Sequence, residues 1–186
     1  MRTSTLIPPC GLVAIVAFLA GCVELPAPTL RQKIADIWGR PPTYTGADTV
    51  TIKLTRGTDD KLYLPIKVNG HDLQAVIDTG SKTVFDLGTM RSIGIKGYPT
   101  GDTFYGFGGF LHVHAGLVDE IDLGGLKIIG LYAVMSDLSG VIHSQETVNL
   151  PPIDGLMGVD LLAPLAAKID YEALTLTLKR PALRRR

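Results

Sequence analysis

The chain has 186 residues, 46% of them hydrophobic, with 18 basic and 18 acidic side chains and no formal net charge. That length suits one ordinary domain and is short of two, and the apolar fraction is enough for a real core. The even charge balance excludes the basic surplus of a nucleic-acid partner, and 21 glycines fit a turn-rich β protein better than a helical bundle.

Residues 1–21 read as a signal peptide outside the fold. Arg2 supplies a positive start, and the run from Gly11 to Ala20 is an apolar h-region. About ten apolar residues are too few to span a bilayer as a stable helix. The run ends in Leu19-Ala20-Gly21-Cys22, which resembles a bacterial lipobox, in which the cysteine becomes the lipidated first residue of the mature protein. Cleavage there removes Cys10 with the signal and leaves no free thiol and no disulfide, so stability rests on packing alone. The resemblance implies a lipid anchor at Cys22 in the bacterial cell envelope. Val23 stands where an Asp would suggest retention at the inner membrane, so the outer membrane facing the periplasm is favoured. Residues 22–46 read as a lipidated tether, because Pro26, Pro28, Pro41 and Pro42 disfavour continuous regular structure. Between them Leu30, Ile34, Ile37 and Trp38 fall on one face of a short amphipathic helix. Docking on the domain is favoured for it over lying on the lipid surface.

Residues 47–180 read as the globular domain, and the pattern is β. Thr49 to Leu54 and Leu62 to Val68 alternate with period two, although Pro65 suggests an edge strand or the start of one. Asn69-Gly70 is a strong hairpin signal. Asp72 to Ile77 is the next strand, Val84 to Leu87 a short one, and Thr89 to Ile93 a helical turn. Three glycines among the aromatics of Thr103 to Leu111 do not build a stiff strand interior and suit the tip of a mobile hairpin. Leu111 to Ala115 and Gly116 to Leu123 continue as strands. Gly124-Gly125 turns the chain into a long apolar strand or pair of strands, Leu126 to Met135. Ser136 to Pro152 is polar and loop-like, Val159 to Ala163 a short helix, and Ala167 to Asp170 and Leu174 to Leu178 the last strands. Residues 181–186 form a basic tail, for which solvated disorder is the default reading.

The most informative feature is Asp78-Thr79-Gly80-Ser81, at the end of the apolar run Ala75-Val76-Ile77. A carboxylate there carries a desolvation cost, so it has a job. Thr and Gly after it suit a tight turn that presents the carboxylate. With the Asn69-Gly70 hairpin before it, a glycine-rich hairpin around Tyr105–Phe110, then Leu156-Met157-Gly158 and the closing Asp170-Tyr171 with Leu174–Leu178, the ordered set resembles the retropepsin-like aspartic proteases, single-domain and of the clan AA type, in a bacterial lipoprotein form. The resemblance covers roughly residues 48–179. It implies an all-β fold: a closed or partly open barrel of one domain with a flap hairpin and one short helix, pairing as a two-fold dimer.

Such enzymes use two carboxylates sharing one proton, one activating a water and the other donating to the scissile carbonyl. This chain has one such loop, so the resemblance implies a homodimer with Asp78 and its symmetry mate as the dyad. Thr79, Gly80 and Ser81 support the loop, Ser81 by a hydrogen bond to the outer carboxylate oxygen. Tyr105, Gly106, Phe107, Gly108, Gly109 and Phe110 form the flap over an extended peptide substrate. Leu156, Met157 and Gly158 lie beneath the site. Asp154, in an echo of the same pattern, lacks Thr-Gly after it and is read as structural. His112 and His114 share a strand face, and a metal would need a third ligand, Asp119 or His143; no metal and no cofactor are expected. Asp119, Glu120 and Asp122 read as a solvated strand or turn. The leading function is an aspartic endopeptidase of the cell envelope. The alternative is a catalytically silent lipoprotein of the same fold that binds peptides or scaffolds an envelope assembly.

Overall fold

The alternating segments become strands, and their apolar faces turn inward around one barrel. The computed structural model describes residues 41–106, 109–142 and 150–182, with the backbone alone at 105, 106 and 109. The expected signal peptide, Cys22, the expected tether helix, Phe107, Gly108, His143 and the Arg184–Arg186 tail lie outside the described residues.

Among the described residues six strands come before the first helix, and the first five are β1 (Thr43–Gly46), β2 (Thr49–Lys53), β3 (Thr55–Arg56), β4 (Leu62–Val68) and β5 (His71–Asp78). Then follow β6 (Val84–Asp86), α1 (Leu87–Ser92), β7 (Tyr98–Gly106), β8 (Gly109–Leu123) and β9 (Leu126–Ser136). The chain closes with β10 (Gly155–Gly158), α2 (Val159–Leu162), β11 (Lys168–Asp170) and β12 (Thr175–Lys179). The pairings β9–β6–β10–β5–β4–β8 return to β9, so six strands close a ring. β1 lies outside it on the first half of β9, with Thr43 opposite Ile129, while β6 takes the second half, with Val84 opposite Val134. The ring encloses fully buried Leu64, Val68, Phe85, Ile121, Leu126, Ile128, Met135 and Met157. Burial of this kind contributes about 1.5–3 kcal/mol per large side chain.

Local chemistry explains the joints. Asn69 and Gly70 both have positive φ, 48° and 84°, as a two-residue hairpin turn with the right-handed twist requires. Asp86 ends β6 and caps α1. One of its carboxylate oxygens accepts from the Thr89 N–H at 2.7 Å, and the other from the Leu138 N–H at 2.9 Å. That buried carboxylate therefore fastens the segment after β9 to the start of α1.

Several expectations shift. β1 belongs to the sheet, so the last four residues of the expected tether are part of the fold. Its backbone donors and acceptors are met by β9, a partner more than eighty residues away that no local pattern reveals. Pro65 lies in an interior strand, at a place where the side of β4 away from β5 is unpaired. β3 meets Leu62 and Tyr63 there, and β8 meets Lys67 and Val68. The missing N–H is thereby accommodated without an edge. The helical turn expected at Thr89 to Ile93 is the six-residue helix Leu87–Ser92, and residues 139–142, expected as loop, are helical as well, so the described residues hold more short helices than the one expected. The two strands expected between Leu111 and Leu123 are one strand of 15 residues. The second, smaller sheet is β11–β12–β2, in which β12 pairs on both sides. An ion pair between Arg180 and Asp48 fastens its end.

Candidate active site

Asp78 is the last residue of β5. Alternation along the strand sends Ala75 and Ile77 to the main core, and Val76 and Asp78 to the other face. β10 is threaded between β5 and β6. It runs parallel to β5, with Gly158 opposite Asp78, and antiparallel to β6, with Leu156 opposite Val84. Residues 79–83, which join β5 to β6, must therefore arch over the end of β10.

That arch is tight. A Cβ at Gly158 would stand 2.2 Å from the Lys82 carbonyl carbon and 2.4 Å from the Thr83 nitrogen. The arch is also pinned. The Val159 N–H donates to the Ser81 carbonyl at 2.9 Å, and the Gly158 N–H to the Thr83 hydroxyl oxygen at 2.9 Å. The Thr83 N–H and hydroxyl both donate to Asp160 Oδ1, at 2.7 and 2.8 Å. Each peptide from 81 to 83 is thus held from below by β10 or by the start of α2.

Within the arch, Asp78 is half-buried, and its Oδ1 accepts from the Gly80 N–H at 2.9 Å. That contact fixes the plane of the carboxylate. Among the described residues, Oδ2 has no donor. Thr79 and Gly80 are exposed. Ser81 acts differently from expectation. Its N–H and hydroxyl reach the Asp78 main-chain carbonyl, at 3.3 and 3.4 Å, and it does not hold the carboxylate. The turn geometry that brings the Gly80 N–H onto Oδ1 leaves the Ser81 side chain over the peptide.

The other expected residues fall into place around this centre. Met157 is buried in the core, while Leu156 is half-buried in a small cluster with Tyr63, Val76 and Ile153, on the face that Asp78 shares. The glycine-rich hairpin has Tyr105 opposite Phe110 and Gly106 opposite Gly109, so its arms remain strand up to those glycines. Phe110 is 78% exposed. Asp154 is structural, as read from the sequence. Its Oδ2 accepts from the Gln74 N–H at 2.8 Å and its Oδ1 from the Thr89 hydroxyl at 3.2 Å. His112 is exposed, but His114 is not simply a solvated face. Its Nδ1 is buried and has no hydrogen-bond partner among the described residues. Among the described residues no group of three or more His, Cys, Asp or Glu could hold a metal. Glu120 and Asp122 are engaged, Glu120 with Lys127 at 2.8 Å and Asp122 with the Gly125 N–H at 2.7 Å.

Sequence reasoning missed Thr83 and Asp160. They lie 77 positions apart, and nothing local marks Asp160 as the support of a loop. It missed Asp86 too, although an Asp just before a helical segment is a recognisable N-cap residue.

Residues 64–161 match the family described as aspartyl protease, a span that contains Asp78, the hairpin and β10. The chain belongs to the aspartyl protease family. Its described residues form one ring of six strands, and its sequence holds one Asp-Thr-Gly loop. Three solved structures of aspartyl proteases or protease-like domains are similar to it. A retropepsin-like aspartic protease from Rickettsia conorii is 15% identical, covering 77% of this chain and 97% of that one, with a TM-score of 0.46. The EIAV protease complexed with the inhibitor HBY-793 is 20% identical over 61% of this chain and 95% of that one, at 0.45. The retroviral protease-like domain of Ddi1 from Leishmania major is 18% identical over 63% and 87%, at 0.43. No curated protein matches this chain.

Proposed function

We propose that this protein is an aspartic endopeptidase of the bacterial cell envelope, working as a homodimer with one Asp78 from each copy. The observation that carries the reading is Asp78 itself. It is a single carboxylate at a strand end, oriented by the Gly80 N–H, on an arch held rigid from below, while Asp154 is committed elsewhere. Two such carboxylates across a two-fold axis hold one proton between them, because like charges a few Å apart do not both ionise. The ionised one takes a proton from a water, whose oxygen attacks the peptide carbonyl carbon. The protonated one donates to the carbonyl oxygen. Collapse of the tetrahedral intermediate breaks the C–N bond, and the amine leaves with the proton that the first carboxylate took from the water. The β7–β8 hairpin, ending in exposed Phe110, supports strand addition of an extended peptide. No cofactor enters this chemistry.

The test is cleavage of a pooled peptide library by the full-length protein across a pH series. Turnover is expected at acidic to neutral pH, falling as the shared proton is lost on the alkaline side. Turnover undiminished at alkaline pH would sink the dyad mechanism. The envelope location rests on Leu19 to Cys22. Wild type is expected to incorporate labelled fatty acid in cells, and Cys22→Ser to lose that label. Equal labelling of the variant and wild type would refute a lipid anchor at that residue.

A further inference from the structure

We infer that the segment Leu30–Trp38 docks on its own domain, on the outer face of β8 and β9 at Leu117 and Tyr132, reaching Tyr98 at the foot of the β7–β8 hairpin. This docking needs neither catalysis nor a second copy.

The face exists because the barrel wall changes sides at Gly130. Before that point Leu126 and Ile128 of β9 turn to the main core, and after it Leu131, Ala133 and Met135 do. Gly130 has a φ of 70°, a conformation that glycine adopts freely and that lets the strand change side. β8 switches with it, from Val118 before Asp119 to Ile121 after it. On the far half, Tyr132 therefore points out of the barrel, and so does Leu117, its partner across the strands. Ala115 shares that face of β8 and lies opposite Tyr98. Leu117 is 43% exposed and Tyr98 48%. Among the described residues, the other exposed large hydrophobic side chains are Phe110, Val159 and Tyr171. They sit at the hairpin tip, at the start of α2 and in the β11–β12 turn. Tyr132, Leu117 and Tyr98 thus form an apolar band over three neighbouring strands, about 10 Å across.

The N-terminal chain is delivered to this band. β1 pairs with β9 from Leu126 to Ile129, and β6 joins β9 at Val134. Among the described residues no strand pairs with that edge at residues 130–133. Pro41 and Pro42 stand just before β1, and without an N–H they do not carry the ladder on along β9. The chain upstream leaves the sheet beside Gly130, where Leu131 and Ala133 already occupy the core side. Residues 38–41, extended, span about 10 Å, enough to set Trp38 on Tyr132 and Leu117. A helix over residues 30–38 is about 13 Å long, which matches the width of the band. Its stripe is Leu30, Ile34, Ile37 and Trp38, with Arg31, Lys33 and Asp36 outside it. So short a connection holds the segment at high effective concentration, so a small apolar contact suffices.

Trp38 is the single tryptophan of the chain, so its emission and its quenching by acrylamide report this contact. The experiment uses the full-length protein in detergent solution over a concentration series, with circular dichroism for the fold. In wild type and in Tyr171→Asp, Trp38 is expected to be sheltered from acrylamide at every concentration. Leu117→Asp is expected to keep the fold and to shift the ratio of docked to free segment roughly tenfold or more toward free, because it removes a buried leucine contact and sets a carboxylate in its place. Its emission should move to the red and its quenching rise. If Leu117→Asp does not fold, Leu117→Ser decides. Three results overturn the inference. Trp38 is freely quenched in wild type, or it is equally sheltered in the Leu117 variant, as a segment lying in detergent or lipid would be. The third is shelter lost on dilution, which would place the segment on a second copy.

Discussion

Asp78→Asn is expected to abolish turnover, by about four orders of magnitude or more, the usual scale for losing a central catalytic group. An amide cannot take the proton of the attacking water, and on a two-fold axis the change removes both halves of the dyad at once. The fold is expected to stay. An Asn at this position keeps an oxygen to accept the Gly80 N–H that now bonds Oδ1 at 2.9 Å, and no core contact changes. Removing two carboxylates that compete for one proton also relieves repulsion between copies, so dimerisation should hold or tighten. The checks are kcat/KM on a cleaved peptide, the urea midpoint and the solution mass. A variant that keeps a tenth of the activity would mean that another group carries the reaction. A variant that loses its fold would mean that Asp78 has a structural role not visible in its hydrogen bonds.

How much of this could be read beforehand follows the range of each interaction. The Asn69-Gly70 turn and the alternation of β2 and β4 are local, and they stand in the structure as the residues suggest. The Asp78 loop was legible because an acidic residue closing an apolar strand is anomalous within four positions of sequence. The assignment of Asp154 to a structural role rested on a local contrast, the missing Thr-Gly. What failed was non-local. Residues 43–46 read as tether because their partner strand begins at Leu126. Pro65 read as an edge because its tolerance depends on a gap between β3 and β8. The support of the arch by Asp160 through Thr83 depends on β10 being threaded between β5 and β6, a topology that periodicity does not encode. The role of Ser81 failed for a finer reason. Residue type says a hydroxyl is near the carboxylate, but the turn dihedrals decide which oxygen it reaches.

Gly158→Ala is expected to produce the largest loss of stability of any single methyl group added near the site. The reason is space and not conformation. Gly158 has φ of −97° and ψ of 178°, which any residue adopts. A Cβ there, however, would overlap main-chain atoms of Ser81, Lys82 and Thr83 at 2.2 to 2.5 Å. Backbone cannot swing aside as a flexible side chain does. This backbone is further held by Asp160 on Thr83 and by the Val159 N–H on Ser81. To admit the methyl the arch must lift, which breaks those bonds or bends β10 away from β5. We expect a loss of roughly 3 kcal/mol or more in urea unfolding, at the upper end of over-packing effects. Activity should fall by about two orders of magnitude or more even where the protein remains folded, since a shift near 1 Å of a catalytic group has that effect. Gly80→Ala supplies the contrast for stability. Its Cβ would meet only Asp78 Oδ1, at 3.4 Å, so its unfolding free energy should lie within about 1 kcal/mol of wild type. Equal stability of Gly158→Ala and wild type would show that the arch does not rest on β10, and with it would go the argument that Asp78 is positioned from below.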